Sequence, residues 1–202
     1  MAMIKTYRRD ADGVLHYREA WSEKSGVRTH MGAVGTKGRT RFHSTRSRTW
    51  PDKPTATEFL HNFTEESAAD GYFPVPDDDH GWLVLQCWTF TADLSHPDDQ
   101  RLFEQGQDAL DEHLGWRGVG HYDGNDLGGK PPAGYDLDGT VMNLFCKVVD
   151  TDLGVKVVRS FARAFSLTPY HVIATREPGN DNDYVLAWSP RKRDKDFGLF
   201  RL

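Results

Sequence analysis

Closely spaced glycine turns divide the first 44 residues into segments too short for long helices. Asp12-Gly13 is a hairpin signal between two strand-length runs. Ser25-Gly26 marks a second turn, and Gly35 and Gly38 bracket a third. Because each turn reverses the chain after a strand-length run, we expect four antiparallel strands. The predicted strands are Ile4–Arg8, Val14–Trp21, Val27–Val34 and Arg39–Ser44.

A helix is predicted to follow these strands. Thr55 and Glu58 have the spacing of a capping box, in which each side chain bonds the other residue's backbone N–H. Phe59, Leu60 and Phe63 then recur on one helical face, which we expect to cover the sheet. The helix is predicted to end near Gly71.

The acidic run Asp77-Asp78-Asp79 is typical of a linker, so we expect one domain over residues 1–76 and another over residues 77–202. In the second region the patterns follow the order β-α-β-β-α-β with one extra strand, which favours a ferredoxin-like arrangement. The whole chain is thus predicted to be α+β, with an N-terminal antiparallel sheet carrying one helix. The predicted strands of the second domain are Trp82–Thr91, Trp116–Tyr122, Val141–Val149, His171–Arg176 and Tyr184–Trp188; its helices are His96–Leu114 and Leu153–Ser166, the latter capped by Asp152.

The first and third strands of such a sheet are neighbours. Their uniformly apolar side should face the helices, which makes Cys87 and Cys146 core residues rather than reactive thiols. The other side is aromatic, and we expect the first domain or another subunit to cover it. Phe197, Leu199 and Phe200 indicate that the last residues also pack down. The predicted interface residues are Trp82, Trp88, Phe90 and Phe145.

Composition limits the cellular compartments and the classes of partner that we expect for this chain. No run approaches the roughly 20 apolar residues of a membrane-spanning helix, and no signal peptide is visible at the start. Two cysteines without a CxxC pair fit a reducing cytosol, so we expect a cytoplasmic protein that contacts no membrane. Residues 1–53 carry 12 Lys/Arg against 5 Asp/Glu, whereas residues 54–126 carry 2 against 16. The basic first part leaves room for an anion site.

Two fragments of phosphate-handling motifs do not assemble an active site. Gly124 to Lys130 fits the start of a phosphate-binding loop, but two prolines follow in place of the metal-binding hydroxyl and the helix. Asp136 to Thr140 resembles the DxDGT signature of haloacid-dehalogenase-type phosphatases, yet only 62 residues follow it, too few for the rest of that fold. We therefore predict no catalytic residues and no cofactor.

The segment Asp123–Thr140 is predicted to be a long loop rich in glycine and aspartate. Long loops in compact domains are often functional, and Asp123, Asn125 and Asp126 could offer oxygen ligands to Ca²⁺ or Mg²⁺. His121 next to Asp123 could form a base–acid pair. A metal-dependent enzyme using this loop is the least favoured of three functional hypotheses.

The segment from His30 to Thr40 resembles the one that names the WGR domain, where Trp-Gly-Arg is followed by an apolar residue and Gly-x-x-Gly. Gly32, Gly35, Lys37 and Gly38 match that pattern. The run from Phe59 to Tyr72 also resembles the family's helix and its closing Gly-Tyr. The resemblance covers about 70 residues. In poly(ADP-ribose) polymerases this domain binds DNA breaks and contacts neighbouring domains, so the resemblance implies a binding function. The family also has bacterial members, whose role is mostly unknown.

The chain departs from the family at two positions, where Met31 replaces the Trp and Ala33 replaces the Arg. Methionine has no flat indole face for stacking, and alanine has no guanidinium for phosphate. Point charges remain, and Arg39 and Arg41 should share one face of a strand. The predicted anion-binding residues are Arg28, Lys37, Arg39 and Arg41, with Arg46 and Arg48 nearby.

These observations favour a non-catalytic binding protein, with a protein partner contacting the WGR-like surface and the Gly/Asp loop. A regulatory or immunity-like role in a bacterium would fit such a compact acidic chain. The alternative is weak, sequence-independent binding of nucleic acid through the basic strand, and this would be sensitive to salt.

Overall fold

A computed structural model describes residues 3–45, 54–131, 137–167, 170–180, 184–192 and 194–199. The chain is α+β, with two antiparallel sheets and three α-helices in these ranges. It divides into two compact units. The first comprises Met1–Pro76 together with Trp116–Gly118, and the second comprises Asp77–Gly115 and Val119–Leu202.

The first unit contains the predicted four-stranded sheet, with the strands in chain order. Each strand pairs antiparallel with the next, and Tyr7 lies opposite Tyr17 across the first hairpin. A short bridge from Tyr7 to Phe73 ties the end of the unit back to its first strand. The strands are β1 (Met3–Arg9), β2 (Leu15–Glu23), β3 (Gly26–Ala33) and β4 (Arg39–Ser44).

The predicted capping box is present at the start of helix α1 (Ala56–Ala69). The Glu58 N–H donates to Thr55 Oγ1 at 3.2 Å, and the Thr55 N–H donates to Glu58 Oε2 at 2.8 Å. These bonds satisfy backbone groups that the first turn of a helix leaves without partners. Phe63 then packs against Ala20 and Val27, so α1 covers part of one face of the sheet.

The second unit contains a five-stranded sheet with the order β6-β7-β5-β8-β9. The first and third strands of this unit, β5 and β7, are antiparallel neighbours, as the sequence predicted. Helices α2 (Pro97–Gly115) and α3 (Thr151–Ala164) pack on the sheet. The strands are β5 (Gly81–Trp88), β6 (Gly120–Gly128), β7 (Val141–Val148), β8 (His171–Arg176) and β9 (Val185–Trp188).

The side of β5 and β7 predicted to form the core is fully buried. Leu83, Leu85 and Leu144 have no exposed surface, and Cys87 and Cys146 lie on the same side. Burial raises the pKa of the Cys87 thiol to about 12 and also raises the pKa of Cys146, because the thiolate loses its hydration. Both cysteines are therefore core residues.

Several predicted boundaries of the second unit differ from the structure, and two of the differences have a clear cause. The second strand begins at Gly120 rather than Trp116, because Trp116–Gly118 belongs to the first unit. Helix α3 is capped by Asp150 rather than Asp152. Asp150 has extended backbone dihedrals and its side chain accepts the Leu153 N–H at 2.9 Å, whereas Asp152 already lies in the first turn.

None of the helices in the described ranges is long and apolar enough to span a membrane.

Candidate functional site

The segment that resembles the WGR motif runs from the end of β3 through a tight turn into β4. Gly38 ends this turn with a φ of +61°, which glycine adopts without steric cost. A Cβ at this position would lie 2.6 Å from the Met31 carbonyl oxygen and 2.9 Å from His30 Nε2. The close approach of the turn to β3 therefore requires glycine at position 38.

A buried polar cluster holds the same turn in place. His30 Nε2 lies 2.6 Å from the Lys37 carbonyl oxygen and 2.9 Å from the Tyr17 hydroxyl, and its Nδ1 lies 2.5 Å from Glu19 Oε1. Lys5 Nζ lies 3.4 Å from the other Glu19 oxygen. Burial, followed by the nearby Glu19 carboxylate, raises the pKa of Tyr17. The cluster fixes the backbone that carries Lys37 into β4.

The strand register then places an exposed methionine in a row with two arginines. Met31 on β3 lies opposite Arg39 on β4 and opposite Arg18 on β2. Directly paired residues share a face, and Arg41 joins them because side chains two apart on a strand point the same way. Met31 is 43% exposed, which is high for a large apolar side chain beside charged groups.

Arg18 and one further arginine, Arg8, are organised around Tyr72. The Arg8 and Arg18 guanidinium carbons lie 4.7 and 4.2 Å from the centre of the Tyr72 ring. Arg8 Nη1 donates to the Asp70 carbonyl oxygen at 3.0 Å, and Arg18 Nη1 donates to Asp70 Oδ2 at 2.7 Å. These contacts restrict both side chains before any partner binds. We call the set Arg8, Arg18, Met31, Arg39 and Arg41 the arginine face.

Arg28 does not belong to this face, although the sequence grouped it with Arg39 and Arg41. Its register partner is Phe42, whose ring it covers at 5.5 Å, and this pair points to the opposite side of the sheet. Arg28 Nε also donates to Glu23 Oε1 at 2.6 Å. The bond holds the pKa of Glu23 below its usual value. Arg28 is thus already neutralised.

Lys37 lies in the turn that leads to Arg39 and Arg41. Within the described ranges, none of these three side chains makes an ion pair. Arg46 and Arg48 lie outside the described residues. Lys37, Arg39 and Arg41 are therefore available to an incoming anion.

The predicted Gly/Asp loop is wrong for residues 123–128, which continue strand β6. Asp123 lies where the pairing of β6 with β7 shifts by one residue, as in a β-bulge. Asn125 Oδ1 accepts the Tyr122 hydroxyl at 2.7 Å, and Asp126 Oδ1 accepts from Asn143 Nδ2 at 2.9 Å. Strand geometry thus directs these oxygens to protein donors.

No group of three His, Cys, Asp or Glu side chains in the described part of the chain is placed to hold a metal ion. His121 Nε2 lies 3.9 Å from Asp123 Oδ1, beyond hydrogen-bonding distance. His121 and Asp123 therefore do not form the hydrogen bond that the predicted base–acid pair would need.

The aromatic side of the second sheet is packed inside its own unit, contrary to the predicted interface. Trp88 is only 3% exposed and packs with Val141 and Val172, and Phe197 lies against this cluster. The rings of Phe145 and Phe197 both contact Tyr184, and Phe200 lies outside the described residues. The predicted return of the last residues onto the protein explains the burial.

Trp82 and Phe90, the other two predicted interface residues, also have partners within the second unit. Lys147 and Arg176 lie over the Trp82 ring at 5.2 and 5.6 Å. The Phe90 ring contacts the tilted ring of His96 with 4.3 Å between ring centres, and Phe90 lines a cavity of about 160 Å³. Both rings therefore have contacts within the second unit.

Sequence reasoning missed Arg8, Arg18 and Tyr72. Their contribution depends on the register of β1, β2 and β3 and on the return of the chain after α1. The hairpin turns at Asp12-Gly13 and Ser25-Gly26 are a signal that could have aligned Arg18 with Met31. Tyr72 had no local signal beyond its position after Gly71.

No protein-family model, no curated protein and no solved structure matches this chain.

Proposed function

We propose that this is a non-catalytic binding protein whose first unit attaches to an acidic surface of a protein partner through the arginine face. The observation that carries the proposal is the register of β2, β3 and β4, which aligns exposed Met31 between Arg18 and Arg39. The resemblance of Gly32, Lys37 and Gly38 to the WGR motif supports a binding role for this part of the chain.

The chemistry of the face suits a protein partner. Arginine and methionine are enriched at protein interfaces, and arginine often dominates their binding energy. Tyr72 is 7% exposed beneath Arg8 and Arg18, so its ring is not open to a nucleic-acid base. Carboxylates of a partner would instead meet the Arg39 and Arg41 guanidinium groups in two-point contacts, because Arg18 is already paired with Asp70. Met31 would fill the apolar space beside them.

Part of the face is rigid before binding, which lowers the entropic cost of forming an interface. Arg8 and Arg18 are held by Asp70 and by the Tyr72 ring. Arg39 and Arg41, which have no ion pair within the described ranges, are the groups that a partner would order. We therefore expect charge reversal at Arg39 and Arg41 to weaken binding most directly.

The test is photo-crosslinking from position 31 in the full chain, expressed in its source organism. A benzophenone amino acid at Met31 is expected to yield one dominant protein adduct, which the added substitutions Arg39→Glu and Arg41→Glu remove. The control places the same crosslinker at Lys156, an exposed position on α3. An adduct pattern that is the same from both positions, or that survives charge reversal, would contradict the proposal.

Nucleic-acid binding is the second candidate, favoured by the exposed placement of Arg39 and Arg41 on an edge strand. The two arginines are two residues apart on the strand, so their Cα atoms are separated by roughly 7 Å. At this spacing both side chains can contact one nucleic-acid phosphate backbone. Anisotropy of a nicked, 5′-phosphorylated duplex between about 50 and 200 mM salt tests this binding. The Lys37/Arg39/Arg41→Ala variant should then lose the binding and its salt dependence. No binding by the wild-type chain would reject this candidate.

A further inference from the structure

Two buried amides lie side by side in the middle of the second sheet. Gln86 on β5 and Asn143 on β7 are direct cross-strand partners, and their residues are 1% and 0% exposed. Gln86 Nε2 donates to Asn143 Oδ1 at 2.9 Å. Buried amides destabilise a fold unless their remaining donors also find acceptors. The acceptors identify what this face of the sheet binds.

Those acceptors are main-chain carbonyl groups from residues 194–199. Gln86 Nε2 has one hydrogen left after Asn143, and the Gly198 oxygen at 2.9 Å and the Leu199 oxygen at 3.1 Å share it. Asn143 Nδ2 donates to the same Leu199 oxygen at 2.9 Å. The two amides thus contact two successive peptide groups, whatever side chains those peptides carry.

Asp126 sets the orientation of one of these amides. Its Oδ1 accepts from Asn143 Nδ2 at 2.9 Å, and the Asn143 oxygen accepts from Gln86. With its oxygen committed to Gln86, the Asn143 amide can only present donors toward Leu199. Asp126 is therefore a positioning residue for this face.

An aromatic side chain anchors the same segment. Phe197 packs against the cluster of Trp88, Val141 and Val172, with its ring centre 6.2 Å from that of Tyr184. The residues that contact this ring lie on the same side of the sheet as the two amides. Together they fit an aromatic residue followed by two residues in an irregular, extended path.

Residues 194–199 cover the sheet without pairing with it as a strand. Their bonds to Gln86 and Asn143 come from side-chain amides of the sheet rather than from its main chain. The chain before residue 195 is fastened by a turn in which Ser189 Oγ donates to Asp194 Oδ2 at 2.6 Å and accepts the Arg191 N–H at 3.0 Å. A segment that covers a sheet without pairing as a strand opens at a lower free energy than the strands beneath it.

We propose that this face of the second sheet is a peptide-binding site, occupied within the chain by residues 194–199, and that a partner's extended segment with an aromatic residue followed by two accessible carbonyl groups displaces them. The site recognises main chain through Gln86 and Asn143 and selects the aromatic side chain through the Trp88 cluster. The Ser189 turn, which includes Asp194, is the hinge about which residues 195–199 leave. This site is separate from the arginine face and does not rest on it.

The experiment uses the full chain and a fluorescein-labelled hexapeptide with the sequence of residues 194–199. The chain's own segment competes at an effective concentration of order millimolar, so the wild-type chain should bind the peptide weakly. The Phe197→Ala chain should bind it at least about tenfold more tightly, because its own segment has lost its anchor. The same peptide with alanine in place of phenylalanine should not bind.

Two further variants keep the test decisive. Ser189→Ala loosens the hinge without touching the face, so it should also increase affinity for the peptide, by a smaller factor. Adding Asn143→Leu to the Phe197→Ala chain should abolish binding, while slow hydrogen exchange in β5 and β7 shows that the sheet remains folded. The proposal is overturned if neither Phe197→Ala nor Ser189→Ala binds the peptide more tightly than the wild-type chain, or if the alanine peptide binds equally well.

Discussion

Replacing Gly118 by alanine tests whether the three residues after α2 are a structural part of the first unit. Gly118 has a φ of +62°, and a Cβ there would lie 2.8 Å from Tyr17 Cε1 and still closer to two other ring atoms. The ring has no room to retreat, because Tyr17 is fully buried and its hydroxyl lies 2.9 Å from His30 Nε2. Trp116 adds an edge-on contact to the same histidine at 4.8 Å.

Two costs add in this variant. An alanine in the left-handed region costs about 1–2 kcal/mol, because its Cβ crowds the following carbonyl. Forcing an extra carbon into a packed core costs about 1–3 kcal/mol more. The Gly118→Ala chain should therefore lose about 2–5 kcal/mol, a large share of the roughly 5–15 kcal/mol that stabilises a typical domain.

The assay is hydrogen exchange at the amides of β2 and β3, with β5 and β7 as an internal reference. Gly13→Ala is the matched control, because Gly13 has a φ of +79° in the same unit but no atom within 4 Å of the added Cβ. The control should show only the backbone cost, and Gly118→Ala should lower protection of β2 and β3 clearly further. Equal losses in the two variants would refute the packing of residue 118 on Tyr17.

Three further predictions concern the cap, a buried carboxylate and the thiols. Thr55→Ala should cost about 1 kcal/mol in urea unfolding and increase hydrogen exchange in the first turn of α1, because the capping box is lost. Asp99→Asn should cost about 1–3 kcal/mol, because the buried carboxylate accepts the backbone N–H groups of residues 90 and 91; unchanged unfolding would contradict this. Cys87 and Cys146 should resist a thiol reagent at about pH 8 until the protein unfolds. Since burial raises the folded-state pKa of both thiols, stability should fall as the pH rises above about 8.5, where unfolded thiols ionise.

Local patterns were sufficient wherever neighbouring residues decide the structure. The turns at Asp12-Gly13 and Ser25-Gly26 require only short-range backbone geometry, and the four strands around them formed as predicted. Thr55 and Glu58 satisfy each other's backbone within one helical turn, so their spacing alone located the start of α1. The apolar alternation around Leu85 and Leu144 likewise predicted which side of the second sheet is buried.

Patterns failed where a distant partner decides the outcome. Trp116 was predicted to begin a strand of the second domain, but its edge-on contacts with Trp21 and His30 place it in the first unit. Asp126 is a residue type that often binds metal ions, yet one of its carboxylate oxygens accepts a hydrogen bond from the Asn143 amide on the neighbouring strand. None of these three partners is within ten positions of the residue it contacts along the chain.

The sequence by itself determined the α+β class, the first sheet with its capped helix, and the burial of both cysteines, because turns, caps and alternation act over a few residues. Only the tertiary structure decided that Arg28 faces away from Arg39 and Arg41, since strand register sets which side chains share a face. It also decided that residues 194–199 cover the aromatic side of the second sheet. That choice depends on hydrogen bonds from Gln86 across more than 100 positions, which no local pattern encodes.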